Sequence, residues 1–318
     1  MKFLVVSINR AETYDINAKV IHNFFTSKNY VSSLISERYI NFNKLFLILK
    51  EILKSNKIIS PTPTPFNILF LFFCKLFGKD FFIGIHDPEP HEGKNYKRTL
   101  IYNFILTSLS SGILVFSEYS KNVLKSKMSN KNIYQLLLLP SSNSTTLEKI
   151  IKDFQYDFSL IGRLELYKGV DEFIMIAEQM PEKKFLLTGE DLIGIDEKKL
   201  PQNITFRNSY LDFDEYTDYI RKSKVLLMPY KSATQSGVVA DAFQNKTFLI
   251  SRNVGAIKEQ LDVYKNGCVY DSLEEGLSIC KNISEDIYQI SEENQKAAII
   301  RMKKKRDKHL DKLLEDIA

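Results

Sequence analysis

Short apolar segments alternate with longer amphipathic segments along most of the chain, and this alternation restricts the possible folds more than any other feature. Strands separated by helices of this length form parallel sheets with crossover helices. The first half is therefore predicted to be a doubly wound α/β domain. Its predicted strands lie at 2–7, 30–34, 57–60, 80–85 and 112–116, and its predicted helices at 16–27, 42–53, 66–77, 96–108 and 118–127.

The alternation stops at a polar segment, SSNSTT at 141–146, and then begins again. Such a segment is typical of a linker, and 318 residues suffice for about two domains. We predict an α/β fold of two Rossmann-like, doubly wound domains facing a cleft, with ligands beyond the carboxyl ends of the strands. The predicted domains span 1–145 and 146–290, and a long C-terminal helix at 291–318 packs back on the first. The second domain has predicted strands at 158–161, 185–188, 204–206, 225–228 and 248–251, and helices at 170–180, 215–223, 238–244 and 257–261.

Charge is divided unevenly between the two halves. Residues 1–150 contain 19 Lys and Arg against 10 Asp and Glu, a net +9, and the remainder contains 25 against 29, a net −4. The total of +5 is too small to favour a general nucleic-acid binder. A basic first half suits an anionic partner such as lipid head groups or a diphosphate carrier. The alternative is an accident of surface composition.

Cysteine content indicates a reducing, cytoplasmic location. Cys74, Cys268 and Cys280 are odd in number and lack CxxC spacing, which argues against a disulfide framework and against a zinc site. The apolar run after Met1 is too short for a signal peptide before Asn9 and Arg10 interrupt it.

The most apolar segment is FNILFLFFCKLF at 66–77. It is well short of the roughly 20 residues that span a bilayer. It is either a helix buried in the first domain or a helix that enters a membrane interface. The second reading agrees with the basic first half and would place the protein peripherally at the inner face of the cytoplasmic membrane.

Two cations occur close together in LIGRLELYKGVDEF at 160–173. Arg163 follows a strand, and Lys168 comes five residues later at the start of a helix. Together with the helix dipole they form a positive region that could hold a diphosphate. The alternative is a pair of solvated surface cations.

A second candidate segment, TQSGVVADA at 234–242, places a glycine turn directly before a helix. Backbone N–H groups of Ser236, Gly237 and Val238 could bind phosphate oxygens. Asp241 would then be placed for a ribose hydroxyl, or would be an ordinary acid on the helix surface. Further along, Glu259 lies on a short helix after another glycine turn.

These segments together resemble the retaining glycosyltransferases of family 4, in their bacterial exopolysaccharide and O-antigen branch, which have the two-domain GT-B fold. The resemblance covers about residues 158–270, and the motifs keep their order and spacing. In the first domain, HDPEPHEG at 86–93 and VFSEYSKNVL from Val115 are similar to family segments. The matching motifs of the second domain are Gly162-Arg163-Leu164, Lys168-Gly169, Gly189-Glu190, Gly237 with Asp241-Ala242, and Val254-Gly255.

The resemblance implies transfer of a hexosyl unit from a UDP- or GDP-sugar to a saccharide acceptor, expected to be lipid-linked, in cell-surface polysaccharide biosynthesis. Arg163 and Lys168 would stabilise the departing diphosphate without a metal or other cofactor. His86, after a predicted strand, would contact the sugar, whereas His91 is a weaker candidate. The donor site would comprise Gly162, Gly189, Glu190, Ser236, Gly237, Val238, Asp241 and Glu259.

Two features bear on this assignment. The family usually has a second acid eight residues before the one at Asp241, and this chain has Ala233 there. The loss favours a first alternative, a catalytically inactive binding partner. A second alternative is a GT-B-fold enzyme of another kind, a nucleotide-sugar epimerase or a phosphorylase, and the loss counts against an epimerase, which needs carboxylates beside the sugar. Asp212-Phe213-Asp214 has the form of a metal-binding DxD motif, but its place before a predicted helix indicates that Asp214 is an N-cap.

Overall fold

The computed structural model describes residues 1–8, 13–37, 39–89, 96–139, 153–284 and 292–318. The chain divides into two compact units, Met1–Asn143 together with Met302–Ala318, and Ser144–Arg301. The predicted linker at 141–146, the boundary within it, and His91 lie outside the described residues.

The first unit contains a six-stranded parallel sheet with the strand order β2-β1-β3-β4-β5-β6. Its central strands are almost continuously apolar, because helices cover both faces of a parallel sheet. The last strand was not predicted, since three residues carry too little pattern. The strands are β1 Lys2–Ile8, β2 Val31–Glu37, β3 Lys57–Ser60, β4 Asp80–Gly84, β5 Gly112–Val115 and β6 Ile133–Gln135.

Helices of the first unit lie on both faces of this sheet. They are α1 Thr13–Ser27, α2 Phe42–Lys54, α3 Asn67–Leu76, α4 Tyr96–Leu109 and α5 Glu118–Lys127. Successive residues of β1 point to opposite faces, so Phe3 belongs to one apolar core and Leu4 to the other. The first core includes residues of α1, and the second includes residues of α2, α3, α4 and α5.

The C-terminal helix, Glu292–Ile317, contributes its last turns to the first unit. Leu310, Leu313, Leu314 and Ile317 are buried in the core that contains Phe3. An ion pair of 2.7 Å joins Lys28 Nζ to Asp311 Oδ1 at the edge of this contact.

The second unit contains a parallel sheet with the order β12-β11-β10-β7-β8-β9. Its strands are β7 Tyr156–Ile161, β8 Phe185–Gly189, β9 Ile204–Asn208, β10 Ser223–Met228, β11 Phe248–Arg252 and β12 Gly267–Tyr270. Its helices are α6 Val170–Glu178, α7 Phe213–Lys222, α8 Gly237–Gln244, α9 Ile257–Tyr264 and α10 Leu273–Asn282. The winding direction reverses between β7 and β10, and ligands of such sheets bind at this switch point.

The predicted α/β class, with two doubly wound sheets and a long C-terminal helix, is confirmed. One detail of the DxD segment was wrong. Asp212, and not Asp214, caps α7: its carboxylate accepts the Glu215 N–H at 2.9 Å, and the Glu215 carboxylate accepts the Asp212 N–H at 3.3 Å. Asp214 lies in the first turn, where an acid still favours the positive end of the helix dipole.

Candidate functional site

Two glycines bring the ends of β7 and β8 together. Gly162 has φ +104° and Gly189 has φ +143°, conformations that L side chains rarely adopt. A Cβ atom on Gly189 would overlap the carbonyl oxygen of Gly162, so the two backbones are in direct contact. Arg163 and the exposed Glu190, which follow these glycines, therefore leave the sheet at neighbouring strand ends.

The loops that follow β7 and β10 are joined across the switch point. Gly169, with φ +68°, precedes α6, and a Cβ atom there would overlap the Pro229 carbonyl oxygen. The Lys231 N–H donates to the Tyr167 carbonyl oxygen at 2.8 Å. These contacts require a glycine at 169 and hold Lys168 against the segment that follows β10.

Lys168 is buried, although its side chain carries a charge. Its ammonium group donates a hydrogen bond to the Tyr230 hydroxyl. Nζ lies 4.2 Å from the ring centroid of Tyr230 and 5.5 Å from that of Tyr167, within cation–π range. Burial lowers the pKa of Lys168, and the nearby charge of Arg163 lowers it further. Within the described part of the chain, Lys168 forms no ion pair with a carboxylate.

Arg163 is held less tightly. Its side chain is 66% exposed, and Nη1 lies 3.6 Å from Glu165 Oε1. An exposed pair of this length contributes little to stability. The guanidinium is therefore available to an anionic ligand at little cost.

The turn before α8 is fixed by a side chain from α9. Gln260 Oε1 accepts the Ser236 N–H at 2.8 Å, and Gln260 Nε2 donates to the Ser236 carbonyl oxygen at 3.0 Å. The Ser236 side chain also hydrogen-bonds the Tyr230 hydroxyl. Tyr230 therefore links Lys168 to the N-terminus of α8.

This pairing changes the expected phosphate contacts. Three N–H groups were predicted to face a phosphate, but that of Ser236 donates to Gln260. Gly237 and Val238 lie in the first turn of α8, where N–H groups lack partners within the helix. A Cβ atom on Gly237 would meet no atom within 4 Å, so this helix end faces open space.

The loop that follows β11 lies against the loop that follows β10. Gly255 has φ +52°, and a Cβ atom there would overlap the Ala233 carbonyl oxygen. Glu259 follows in the first turn of α9, next to Gln260, and is partly buried. The strand ends thus bring Glu259 to the same edge of the sheet as Ser236.

Asp241 is almost completely buried in the second unit. It is only 9% exposed, and its Oδ2 accepts a hydrogen bond of 3.2 Å from the Tyr216 hydroxyl of α7. Burial, together with the charge of Asp241, raises the pKa of Tyr216. A solvated acid on the surface of α8 is therefore excluded.

In the first unit, His86 follows the carboxyl end of β4. Its ring stacks on Phe116 with centroids 4.4 Å apart and planes 21° apart. It also hydrogen-bonds the Pro61 backbone, whose carbonyl is the only acceptor there. Burial lowers the pKa of His86 to about 4, so the ring is neutral at neutral pH.

Sequence reasoning missed Tyr230, Gln260 and Tyr216. Tyr230 could have been found from the sequence, because Pro-Tyr directly follows the predicted strand VLLM and so lies at its carboxyl end. The other two lie on helices without any motif. In the described ranges, no group of three or more His, Cys, Asp or Glu could hold a metal ion, and no described helix has the length and hydropathy to cross a bilayer.

Known proteins match this architecture. Residues 155–283, which lie in the second unit, match a family described as glycosyl transferases group 1. Sucrose-phosphate synthase from Thermosynechococcus elongatus has a TM-score of 0.65 at 12% identity, covering 100% of this chain and 99% of that one. The chain has the GT-B fold. No curated protein sequence matches it significantly.

Other GT-B structures agree over the full length of the chain. The Anabaena protein HepE, in complex with UDP-glucose, has a TM-score of 0.63 at 12% identity, covering 99% of this chain and 100% of that one. The lipopolysaccharide outer core galactosyltransferase WaaB, in its apo form, has a TM-score of 0.61 at 15% identity, and both chains are covered completely. The TM-scores and the coverage establish the GT-B fold, and identities this low leave the substrates open.

Proposed function

We propose that the protein is a retaining glycosyltransferase that moves a hexosyl unit from a UDP- or GDP-sugar to a saccharide acceptor. The observation that carries this proposal is the contact of Lys168 with Tyr230 and, through it, with Ser236. It lies at the switch point of a sheet in a unit that matches a glycosyltransferase family. A buried ammonium beside a helix N-terminus suits a diphosphate.

The two cations stabilise the departing group. As the bond from the anomeric carbon to the diphosphate oxygen breaks, its electron pair and the negative charge move to the diphosphate. The acceptor hydroxyl oxygen bonds the anomeric carbon on the same face, and its proton passes to the departing diphosphate. Arg163 and Lys168 bind this charge more strongly in the transition state than in the ground state. Removing one such cation costs about 3–4 kcal/mol of barrier, or about 10²–10³ in rate.

The remaining donor contacts come from the same edge of the sheet. Gly162, Gly189 and Glu190 border the donor at the ends of β7 and β8, and the N–H groups of Gly237 and Val238 face its phosphates. Asp241 binds the ribose, and Glu259 binds the sugar or the phosphates. His86 contacts the sugar as a neutral hydrogen-bonding group, because its low pKa excludes the imidazolium.

The acceptor is a lipid-linked saccharide of cell-surface polysaccharide biosynthesis, used by a cytoplasmic protein at the inner face of the membrane. The net charge of +9 in residues 1–150 supports this choice.

The side-chain cations of Arg163 and Lys168 replace a divalent metal ion, so transfer continues in EDTA. Loss of transfer in EDTA with recovery in Mg²⁺ or Mn²⁺ would overturn this part.

A panel of UDP- and GDP-sugars, assayed for nucleotide release with lipid-linked and water-soluble saccharides, tests the proposal. We expect release that depends on an acceptor, and a product that keeps the anomeric configuration of the donor. Conversion of the donor sugar without an acceptor would indicate an epimerase. Donor binding without any turnover would indicate an inactive binding partner.

A further inference from the structure

The outer sides of α2, α3 and α4 expose large apolar side chains. On α2, Phe42 is 83% and Phe46 is 65% exposed, on α3 Phe72 is 61% exposed, and on α4 Phe104 is 63% exposed. We name this surface the apolar face. Its further exposed members are Leu47, Leu53, Ile68, Leu76, Leu100, Ile101 and Leu109.

These side chains are not needed for the core. Each of the three helices already buries other apolar residues against the first sheet, among them Ile52, Phe70 and Leu106. The segment at 66–77 therefore has an inner side that is buried in the first unit and an outer side that is exposed. Exposed apolar patches that extend over several helices mark contact with a partner protein or a membrane.

In the described ranges, the unpaired charge on the same helices is positive. Exposed Lys50, Lys75, Lys97 and Arg98 form no ion pair with any residue in the described ranges. The one acid in α2, α3 and α4 is Glu51, whose carboxylate binds Lys2 at 2.8 Å and Lys54 at 3.0 Å. The apolar face is therefore bordered by cations that no acid of the described residues neutralises.

We infer that the apolar face docks on an anionic lipid bilayer. Phe and Leu side chains enter the interface, while the lysine and arginine stems lie along the apolar surface and place their charges among lipid phosphates. A second copy of the chain is a poorer occupant. A two-fold pairing would set the face against itself and bring like charges together.

The proposed lipid-linked acceptor would lie in a bilayer. In choosing a bilayer as the partner, this inference therefore rests on the proposed function.

The experiment is sedimentation of the full chain with vesicles of phosphatidylcholine alone, or of phosphatidylcholine and phosphatidylglycerol in equal parts. We expect binding to the anionic vesicles only, at least tenfold weaker in about 0.5 M salt because salt screens the cations.

Two variants locate the binding surface. Phe72→Glu with Phe104→Glu should abolish binding, since both side chains are exposed and neither substitution disturbs the core. Met175→Glu with Ile300→Glu adds the same charge at exposed apolar positions elsewhere, 47% and 67% exposed, and should bind as the wild type does. Circular dichroism checks that both variants are folded.

Three results would overturn the inference. They are no vesicle binding by the wild type at low salt, equal binding to neutral vesicles, and a dimer that the Phe72→Glu/Phe104→Glu variant dissociates while vesicles are ignored. Transfer to a water-soluble acceptor separates this inference from the proposed function. A chain that binds anionic vesicles but transfers nothing retains the docking surface and loses the enzyme assignment.

Discussion

The ammonium group of Lys168 donates a hydrogen bond to the hydroxyl of Tyr230, and Nζ lies 4.2 Å from the centroid of the same ring. The two residues come from loops that follow β7 and β10, the strands on either side of the switch point. A buried cation that is held by an aromatic ring and a hydroxyl, and is paired with no carboxylate of the described residues, can accept an anion without first breaking an ion pair. This relationship is the physical basis of the predictions for the second unit.

Tyr230→Phe keeps the ring and removes the acceptor. Loss of a hydrogen bond to a buried charge should lower the free energy of unfolding by about 1–3 kcal/mol. Because the ammonium is then less well positioned, we expect kcat/KM for transfer to fall about tenfold. In a Lys168→Ala background, the same substitution should leave the rate unchanged, since the positioned group is already absent. Equal losses in both backgrounds would show that Tyr230 acts independently of Lys168.

Arg163→Ala and Lys168→Ala should each reduce transfer by about 10²–10³ with the fold intact. The double variant should be little worse than either single variant, because the two groups act on one diphosphate. Single-turnover rates with saturating donor measure this. Lys199→Ala, at an exposed lysine of the same unit, is the matched control. A single variant with the wild-type rate would remove that cation from the mechanism.

Gly237→Ala tests how closely a ligand approaches α8. In the absence of ligand the added methyl group meets no atom within 4 Å, so the thermal midpoint should be unchanged or slightly higher. A diphosphate bound at the Gly237 and Val238 N–H groups would occupy this space. Titration with UDP or GDP should therefore show at least tenfold weaker binding. Unchanged affinity would place the phosphates elsewhere.

Because the pKa of His86 is lowered in the folded chain, we expect the free energy of unfolding to depend on pH. Its pKa is about 4 in the folded chain against 6.5 for the ordinary side chain. The unfolded chain binds the extra proton, so stability is lost as the pH falls from about 6.5 to 4, by at most about 3 kcal/mol for this group. His309, whose pKa burial also lowers to about 4, adds a loss of the same sign. Urea midpoints at pH 7 and pH 5 should therefore differ less in His86→Gln than in the wild type, and an identical difference would contradict the assignment.

Much of the fold was predictable because continuous apolar runs identify buried parallel strands. The bounds of β3 and α5 agree with the structure at both ends, and those of β4 and β5 within one residue. The short strands β6 (IYQ) and β12 (GCVY) were missed, since neither contains two aliphatic residues in succession. Helix α10 was also missed.

For the site, the sequence identified charges and glycine turns but not the side chains that hold them. The partnership of Lys168 with Tyr230 joins residues 62 positions apart, and that of Ser236 with Gln260 joins residues 24 apart. Such pairs follow from strand order, which local patterns do not specify. The N–H of Ser236 was predicted for a phosphate for the same reason, since nothing near it in sequence reveals Gln260.

Calorimetric titration of UDP and of GDP into the wild type and into Lys168→Ala tests the central claim most directly. We expect one nucleotide diphosphate to bind the wild type at a single site in the absence of divalent metal. The variant should bind at least tenfold more weakly, a loss of at least about 1.4 kcal/mol, with an unchanged circular dichroism spectrum. Equal affinity in the two proteins, or no binding of either nucleotide to the wild type, would contradict a diphosphate site built on Lys168.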